Sequence, residues 1–278
     1  MAVKKVGILY HPMVAATRIK AEELREFLVS SGVAAWLCSA WETEEAKAQL
    51  KDTDLILTVG GDGTILRAAQ VVILGGTPIT GVNLGRLGFM TELSSEEVQE
   101  KLPFLLAGES WIDERAMLEA ELSTPGQEHR TFHVLNDVVV ARGPIARAIN
   151  VEASIDGQPL TTYKADGVIT ATATGSTGYS LAAGGPILFP QSRDFLLVPI
   201  IPHLSLEHTM VLPSTAEVKL HVITTHPATL SIDGHINSSL SSGDVVTVRQ
   251  SPNTIRFLRI HRETSFYNSL EERLKGNE

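Results

Sequence analysis

Three glycines surround an aspartate and lead into a threonine at Gly60-Gly61-Asp62-Gly63-Thr64, between an apolar extended run and an apolar helical one. Residues 54–59 read as a buried strand and residues 65–74 as a helix. A chain that turns from strand to helix over so few residues, most without a side chain, is committed to an α/β arrangement there. The same string suits chemistry. Glycines let the backbone come close to a bulky anion, and the helix that follows aims unpaired N–H groups at it. An aspartate in the middle repels phosphate, so it has other work: a metal held by the phosphates, or a hydroxyl that attacks them.

The surrounding sequence extends this pattern. Residues 6–10, 33–37 and 78–83 read as further strands, and residues 17–31 and 42–50 as helices. Ser94 with Glu97 three positions on is a capping-box signature for another helix. This alternation predicts an α/β domain, an open and mostly parallel sheet covered by helices, over residues 1–108. The texture then changes. Runs 131–140, 151–155, 167–172, 218–224, 245–249 and 254–260 are extended, and Asp156-Gly157 and Asp233-Gly234 are hairpin dipeptides. Residues 109–258 are therefore expected to form a β-rich, sandwich-like domain. Residues 266–274 are helical again, in a tail (259–278) expected to return to the first domain.

Composition narrows the function classes. With 23 basic and 32 acidic residues the formal charge is −9, so an overall pull toward nucleic acid or an anionic membrane is not expected. One cysteine, Cys38, rules out an internal disulfide framework and fits a reducing compartment. The apolar run at 6–10 is too short for a secretory signal, and no run approaches the ~20 apolar residues of a spanning helix. A cytoplasmic protein is the expectation. Other phosphate and hydrolase motifs are missing: there is no Gly-Lys dipeptide, no G-x-G-x-x-G and no H-E-x-x-H. Thr174 stands where a G-x-S-x-G elbow needs its first glycine.

A second glycine-rich stretch, Thr174-Gly175-Ser176-Thr177-Gly178-Tyr179-Ser180, continues to Gly184-Gly185-Pro186. Its residue types suit a surface against which phosphates or riboses press. They suit a polar loop or a close strand crossing equally well.

Taken together, the motifs resemble the NAD kinase family. The glycine–aspartate string is that family's first block, and Asn83-Leu84-Gly85-Arg86-Leu87-Gly88-Phe89-Met90 its second. Asn136-Asp137, the stretch from Asp166-Gly167 to Pro186, Pro202-His203 and Asp233-Gly234-His235 follow in family order. Diacylglycerol kinases and phosphofructokinases share a string like the first block but not this set. Small departures are Ala173 for a common proline, Gly178 for alanine, Asp137 for glutamate and His235 for glutamine.

The resemblance implies ATP-dependent phosphorylation of the adenosine-ribose 2′-hydroxyl of NAD, with Mg²⁺ carried on ATP and a homodimer or homotetramer as the assembly. It implies Asp62 as proton acceptor, and Gly61, Gly63 and Thr64 as phosphate-binding backbone. Arg67, one turn further on, is a candidate for the same phosphates. Asn136 and Asp137 resemble the pair that binds NAD. Lys164 and Asp166 correspond to residues beside the nicotinamide-side ribose. Thr174, Thr177, Gly178, Tyr179, Ser180 and Ala182 are expected to line the nucleotide site, with Arg147 and His235 as further contacts. His203, Cys38 and the tryptophans Trp36, Trp41 and Trp111 are expected to be structural.

Overall fold

The structure is a computed structural model that describes residues 3–85, 88–145, 147–203, 206–262, 266, 267, 270 and 274. The chain divides into two compact units, Met1–Glu114 with Ile255–Glu278, and Arg115–Thr254.

The first unit runs β1 (Lys5–Tyr10), α1 (Ala15–Ser30), β2 (Ala34–Ser39), α2 (Thr43–Gln49), β3 (Leu55–Val59), α3 (Asp62–Val72), β4 (Ile79–Asn83), β5 (Leu93–Ser94) and α4 (Val98–Ala107). Strands β2, β1, β3 and β4 lie side by side in that order, all parallel. Phe257, near the end of the chain's last strand, pairs with Ile79 on the far side of β4. β3 and β4 are buried along their whole length, which is why both read as unbroken apolar-rich runs rather than alternating ones. Ala21, Leu24 and Leu28 of α1 recur at three and four residues and pack with Val6, Ile8, Leu55 and Leu57. Each such leucine contributes ~1.5–3 kcal/mol by leaving water. The capping box is made: Ser94 Oγ accepts the Glu97 N–H at 3.2 Å, and Glu97 Oε1 accepts the Ser94 N–H at 3.3 Å. It closes the turn just before α4.

The second unit contains β6 (Trp111–Ser123), β7 (Arg130–Val134), β8 (Asp137–Arg142), β9 (Ile149–Ile155), β10 (Gln158–Ala165), β11 (Gly167–Ala171), α5 (Tyr179–Ala182), β12 (Phe195–Ile200), β13 (Met210–Leu212), β14 (Val218–Ile223), β15 (Ala228–Ile232), β16 (Ile236–Leu240) and β17 (Val245–Arg259). β6 begins in the first unit, and β17 re-enters it at Ile255. One antiparallel sheet has the order β13-β12-β11-β8-β15-β16, and β10, β9, β14 and β17 are neighbours in another. Period-two alternation divides β8 between two cores. Val138 and Val140 join the large core with Val151, Leu220 and Val246, while Val139 joins Ile169 and Val198 on the opposite face. Ala183 and Leu188 pack onto that second face. The glycine-rich stretch is thereby anchored on the outside of the six-stranded sheet.

Both hairpin dipeptides form as expected, with φ of 50° and 75° at Asp156-Gly157 and 49° and 68° at Asp233-Gly234. Three details differ from the sequence reading. The run 131–140 is broken between β7 and β8, because the N–H groups of Leu135, Asn136 and Asp137 bond the Asp233 carboxylate. The runs 245–249 and 254–260 are one strand, since an exposed Pro252 costs a strand one N–H and no packing. Within 174–185 the backbone forms a 3₁₀ turn, Gly175–Thr177, and then α5. Of the expected tail helix, Phe266, Tyr267, Leu270 and Leu274 are helical, and the rest lies outside the described residues.

Candidate functional site

Asp62 opens α3, where the helix dipole favours a negative charge. Its carboxylate is held on both oxygens: Oδ2 accepts the N–H of Phe89 at 2.9 Å, and Oδ1 that of Met90 at 3.0 Å. The glycine–aspartate string and the block from Asn83 to Met90 therefore meet at this side chain. Gly88 makes the meeting possible, because a Cβ there would stand 2.3 Å from Oδ1. Arg86 and Leu87 of that block lie outside the described residues.

Gly61 and Gly63 are exposed, and a Cβ on either would meet nothing within 4 Å. Internal packing does not require glycine at either position. Their missing side chains leave the space over the helix N-terminus clear, as an anion's approach to the backbone needs. Thr64 Oγ1 is buried without a hydrogen-bond partner among the described residues.

One turn along α3, the Arg67 guanidinium lies 4.0 Å over the Trp41 ring, and the His11 ring meets Trp41 edge-on at 4.5 Å. Burial holds Arg67 below its usual pKa. Among the described residues it pairs with no carboxylate. Trp41 is thus more than a packing residue. Its ring supports a cation that no anion of the described chain neutralises.

In the second unit, residues 135–137 are fixed from two sides. The buried Asp233 carboxylate accepts the N–H groups of Leu135 at 3.0 Å, Asn136 at 2.7 Å and Asp137 at 3.1 Å. From the other side Thr172 donates its N–H to the Asn136 carbonyl at 2.9 Å and its hydroxyl to that of Leu135 at 2.6 Å. Gly175 presses so close that a Cβ would lie 2.1 Å from the Asn136 oxygen.

Asn136, Asp137, Arg142, Tyr179 and Asp233 line a cavity of about 540 Å³, within the range of small-molecule sites. The buried Asn136 Oδ1 finds no hydrogen-bond partner among the described residues. Burial, and then the charge of Asp233, push the Asp137 carboxyl up to about 7. Near neutral pH it is therefore poised between donor and acceptor. Burial also pushes Asp233 up, opposed by its three N–H donors and by His235.

The other expected residues fall as follows. Gly178 lies against the pair: a Cβ there would be 3.6 Å from Asn136 Nδ2 and 3.8 Å from Asp137 Oδ2, and 3.3 Å from the Gly175 main-chain oxygen, a tight fit for the methyl of alanine. Tyr179 is exposed on α5, Ala182 ends that helix exposed, and the buried Ser180 Oγ has no hydrogen-bond partner among the described residues. Thr177 Oγ1 donates to the Thr174 carbonyl at 3.1 Å, and Thr174 Oγ1 accepts from Arg115 at 3.3 Å. Asp166 pairs with Arg142 at 3.1 Å, and Lys164 is exposed. His235 Nδ1 lies 3.0 Å from the Asp233 carbonyl. Arg147 is exposed beside the His226 ring, 3.5 Å away, and is not among the residues lining the cavity. The sequence reading missed Arg142, Arg115 and the organising role of Asp233. Only Asp233 carried a signal, its place in a hairpin dipeptide and in the Asp233-Gly234-His235 string.

Two family descriptions match this chain, the ATP-NAD kinase N-terminal domain over residues 6–110 and the ATP-NAD kinase C-terminal domain over residues 135–260. A NAD kinase of Dehalococcoides mccartyi is 52% identical over 275 residues, covering 99% of this chain and 97% of the relative. A NAD kinase of Chloroflexus aggregans is 41% identical over 272 residues, covering 98% and 99%. Among solved structures, the yeast NADH kinase complexed with NADH superposes with a TM-score of 0.86 at 26% identity, covering 100% of this chain and 90% of that one. The Archaeoglobus fulgidus NAD kinase in complex with ATP gives 0.77 at 26% identity, covering 96% and 98%.

Proposed function

The chain belongs to the ATP-NAD kinase family and is an NAD kinase, and from that premise we propose how its residues divide the work. Asp62 takes the proton of the adenosine-ribose 2′-hydroxyl as that oxygen attacks the terminal phosphorus of ATP. A ribose hydroxyl is a poor nucleophile until a base receives its proton. The observation that carries this reading is the fixing of both Asp62 oxygens by Phe89 and Met90, which sets the carboxylate's direction in advance. Each oxygen keeps a lone pair for the incoming proton.

The N-terminus of α3, with Gly61, Gly63 and Thr64, receives the donor's phosphates, and Arg67 supplies a positive charge to them. Asn136, Asp137 and Tyr179 hold NAD, with the Asn136 side-chain oxygen Oδ1 and the Asp137 carboxyl offering hydrogen bonds. Thr174, Thr177, Gly178, Ser180, Ala182, Lys164, Asp166, Arg147 and His235 are proposed to complete the nucleotide contacts.

Magnesium carried on ATP needs no dedicated cage at α3, because an ion that keeps most of its water and is held by phosphates needs few protein ligands. Bound with ATP, it neutralises charge on the phosphates. The one metal-ligand cluster among the described residues, Cys38, Glu42 and Glu45, does not suit that ion, because burial pushes the Cys38 thiol up to about 12. No helix among the described residues is long and apolar enough to cross a membrane. A cytoplasmic homo-oligomer is proposed, in keeping with a single cysteine that is buried and unpaired. The test is an incubation of purified protein with NAD, ATP and Mg²⁺ followed by an NADP-specific assay. Formation of NADP is expected, and its absence would defeat the reading.

A further inference from the structure

Arg259, near the end of β17, is 5% exposed and makes three polar contacts in the first unit. Its Nε donates to Asp113 Oδ2 at 3.1 Å, and its Nη1 to Glu92 Oε2 at 3.2 Å. The same Nη1 also donates to the main-chain carbonyl of Met90 at 2.7 Å. Met90 is the residue whose N–H is given to Asp62 Oδ1 at 3.0 Å. Glu92 is fixed in turn: its Oε1 accepts the N–H groups of Ile260 and His261 at 2.8 and 2.7 Å, and lies 3.0 Å from the His261 ring nitrogen.

Two carboxylates already neutralise a buried guanidinium. The third contact therefore adds nothing to charge balance, and it falls on the main chain that orients Asp62. Phe89 and Met90 stand in the stretch leading into β5, outside any helix or strand, where no regular backbone ladder fixes them. Arg259 ties that stretch to a strand 169 residues away in sequence.

We infer that Arg259 is a positioning residue for the reaction: by holding the main chain of Met90, it fixes the direction in which Asp62 presents its carboxylate. This rests on the reading of Asp62 as the base. A guanidinium suits the task because its rigid fork serves three acceptors at once. A base displaced by a fraction of an ångström loses rate without losing substrate, since catalysis depends on alignment far more steeply than binding does.

The experiment is steady-state kinetics on Arg259→Lys, which keeps the positive charge beside Glu92 and Asp113 but cannot span all three acceptors. The expected result is a fall in kcat of about 10–100-fold, with KM for NAD and for ATP within about twofold of wild type. A triple variant, Arg259→Met with Glu92→Gln and Asp113→Asn, removes the guanidinium together with both of its carboxylate partners. With its fold checked by circular dichroism, it is expected to give the same split. Wild-type kcat in either folded variant overturns the inference, as does a KM rise with kcat unchanged. Asp62→Asn, measured alongside, separates the two ideas. Substantial turnover in Asp62→Asn defeats the reading of the base. Loss of turnover there, with full kcat in Arg259→Lys, defeats the positioning role alone.

Discussion

Gly88 stands so close to Asp62 that a methyl group on it would lie 2.3 Å from Oδ1 and 2.8 Å from Oδ2. The nearest atoms belong to the proposed base and not to a flexible neighbour, so the carboxylate must turn away from the Phe89 and Met90 N–H groups. Gly88→Ala is predicted to lower kcat about 100-fold through misalignment, with KM for ATP near wild type. Initial-rate measurements at varied ATP and NAD check this.

Trp41 supports the Arg67 guanidinium from 4.0 Å. Trp41→Leu removes the ring face while keeping an apolar side chain. A cation–π contact of ~0.5–2 kcal/mol then no longer orders the guanidinium. KM for ATP is predicted to rise about 3–10-fold, with KM for NAD unchanged, as read by kinetics at saturating co-substrate.

Asp137 gives the fold a pH dependence of definite sign. Its carboxyl is pushed up to about 7 in the folded chain, against ~3.9 unfolded. Between those values the folded state binds more protons, so this group's contribution is full below about pH 4 and lost as pH rises through about 7. Urea unfolding from pH 5 to 8 is predicted to show wild type losing stability relative to Asp137→Asn, by on the order of 3 kcal/mol at most over that window. Parallel stability curves for the two proteins would show that Asp137 keeps an ordinary pKa.

Gly175 lies where a Cβ would press to 2.1 Å from the Asn136 carbonyl oxygen. Gly175→Ala forces apart the backbone that presents Asn136 and Asp137. A loss of about 1–3 kcal/mol is predicted from overpacking, together with a raised KM for NAD. Denaturant midpoints and kinetics read the two effects separately.

Sequence made the local pieces legible, because their causes are local. The strand–turn–helix at 55–72, the Ser94–Glu97 box and both Asp–Gly hairpins depend on residues a few positions apart, and they stand where the spacing put them. The Asp62 string was readable for the same reason. What escaped was long-range. Asp233 reaches back 96 to 98 residues to hold the 135–137 backbone, and that pairing interrupts a run whose β propensity is continuous. Arg259 closes on Met90 across 169 residues, and Trp41, just before α2, meets Arg67 only because α3 packs against α2. Each is a tertiary contact between residue types that, in sequence, resemble ordinary surface or packing positions.

The most direct test of the whole account is Asp62→Asn, followed by NADP formation in turnover assays and by NAD affinity in calorimetry. The substitution keeps the side chain's size and one acceptor oxygen but cannot take a proton at neutral pH. The account predicts a fall in kcat of about 10²–10⁴-fold with NAD affinity close to wild type. Turnover near the wild-type value in that variant would contradict it.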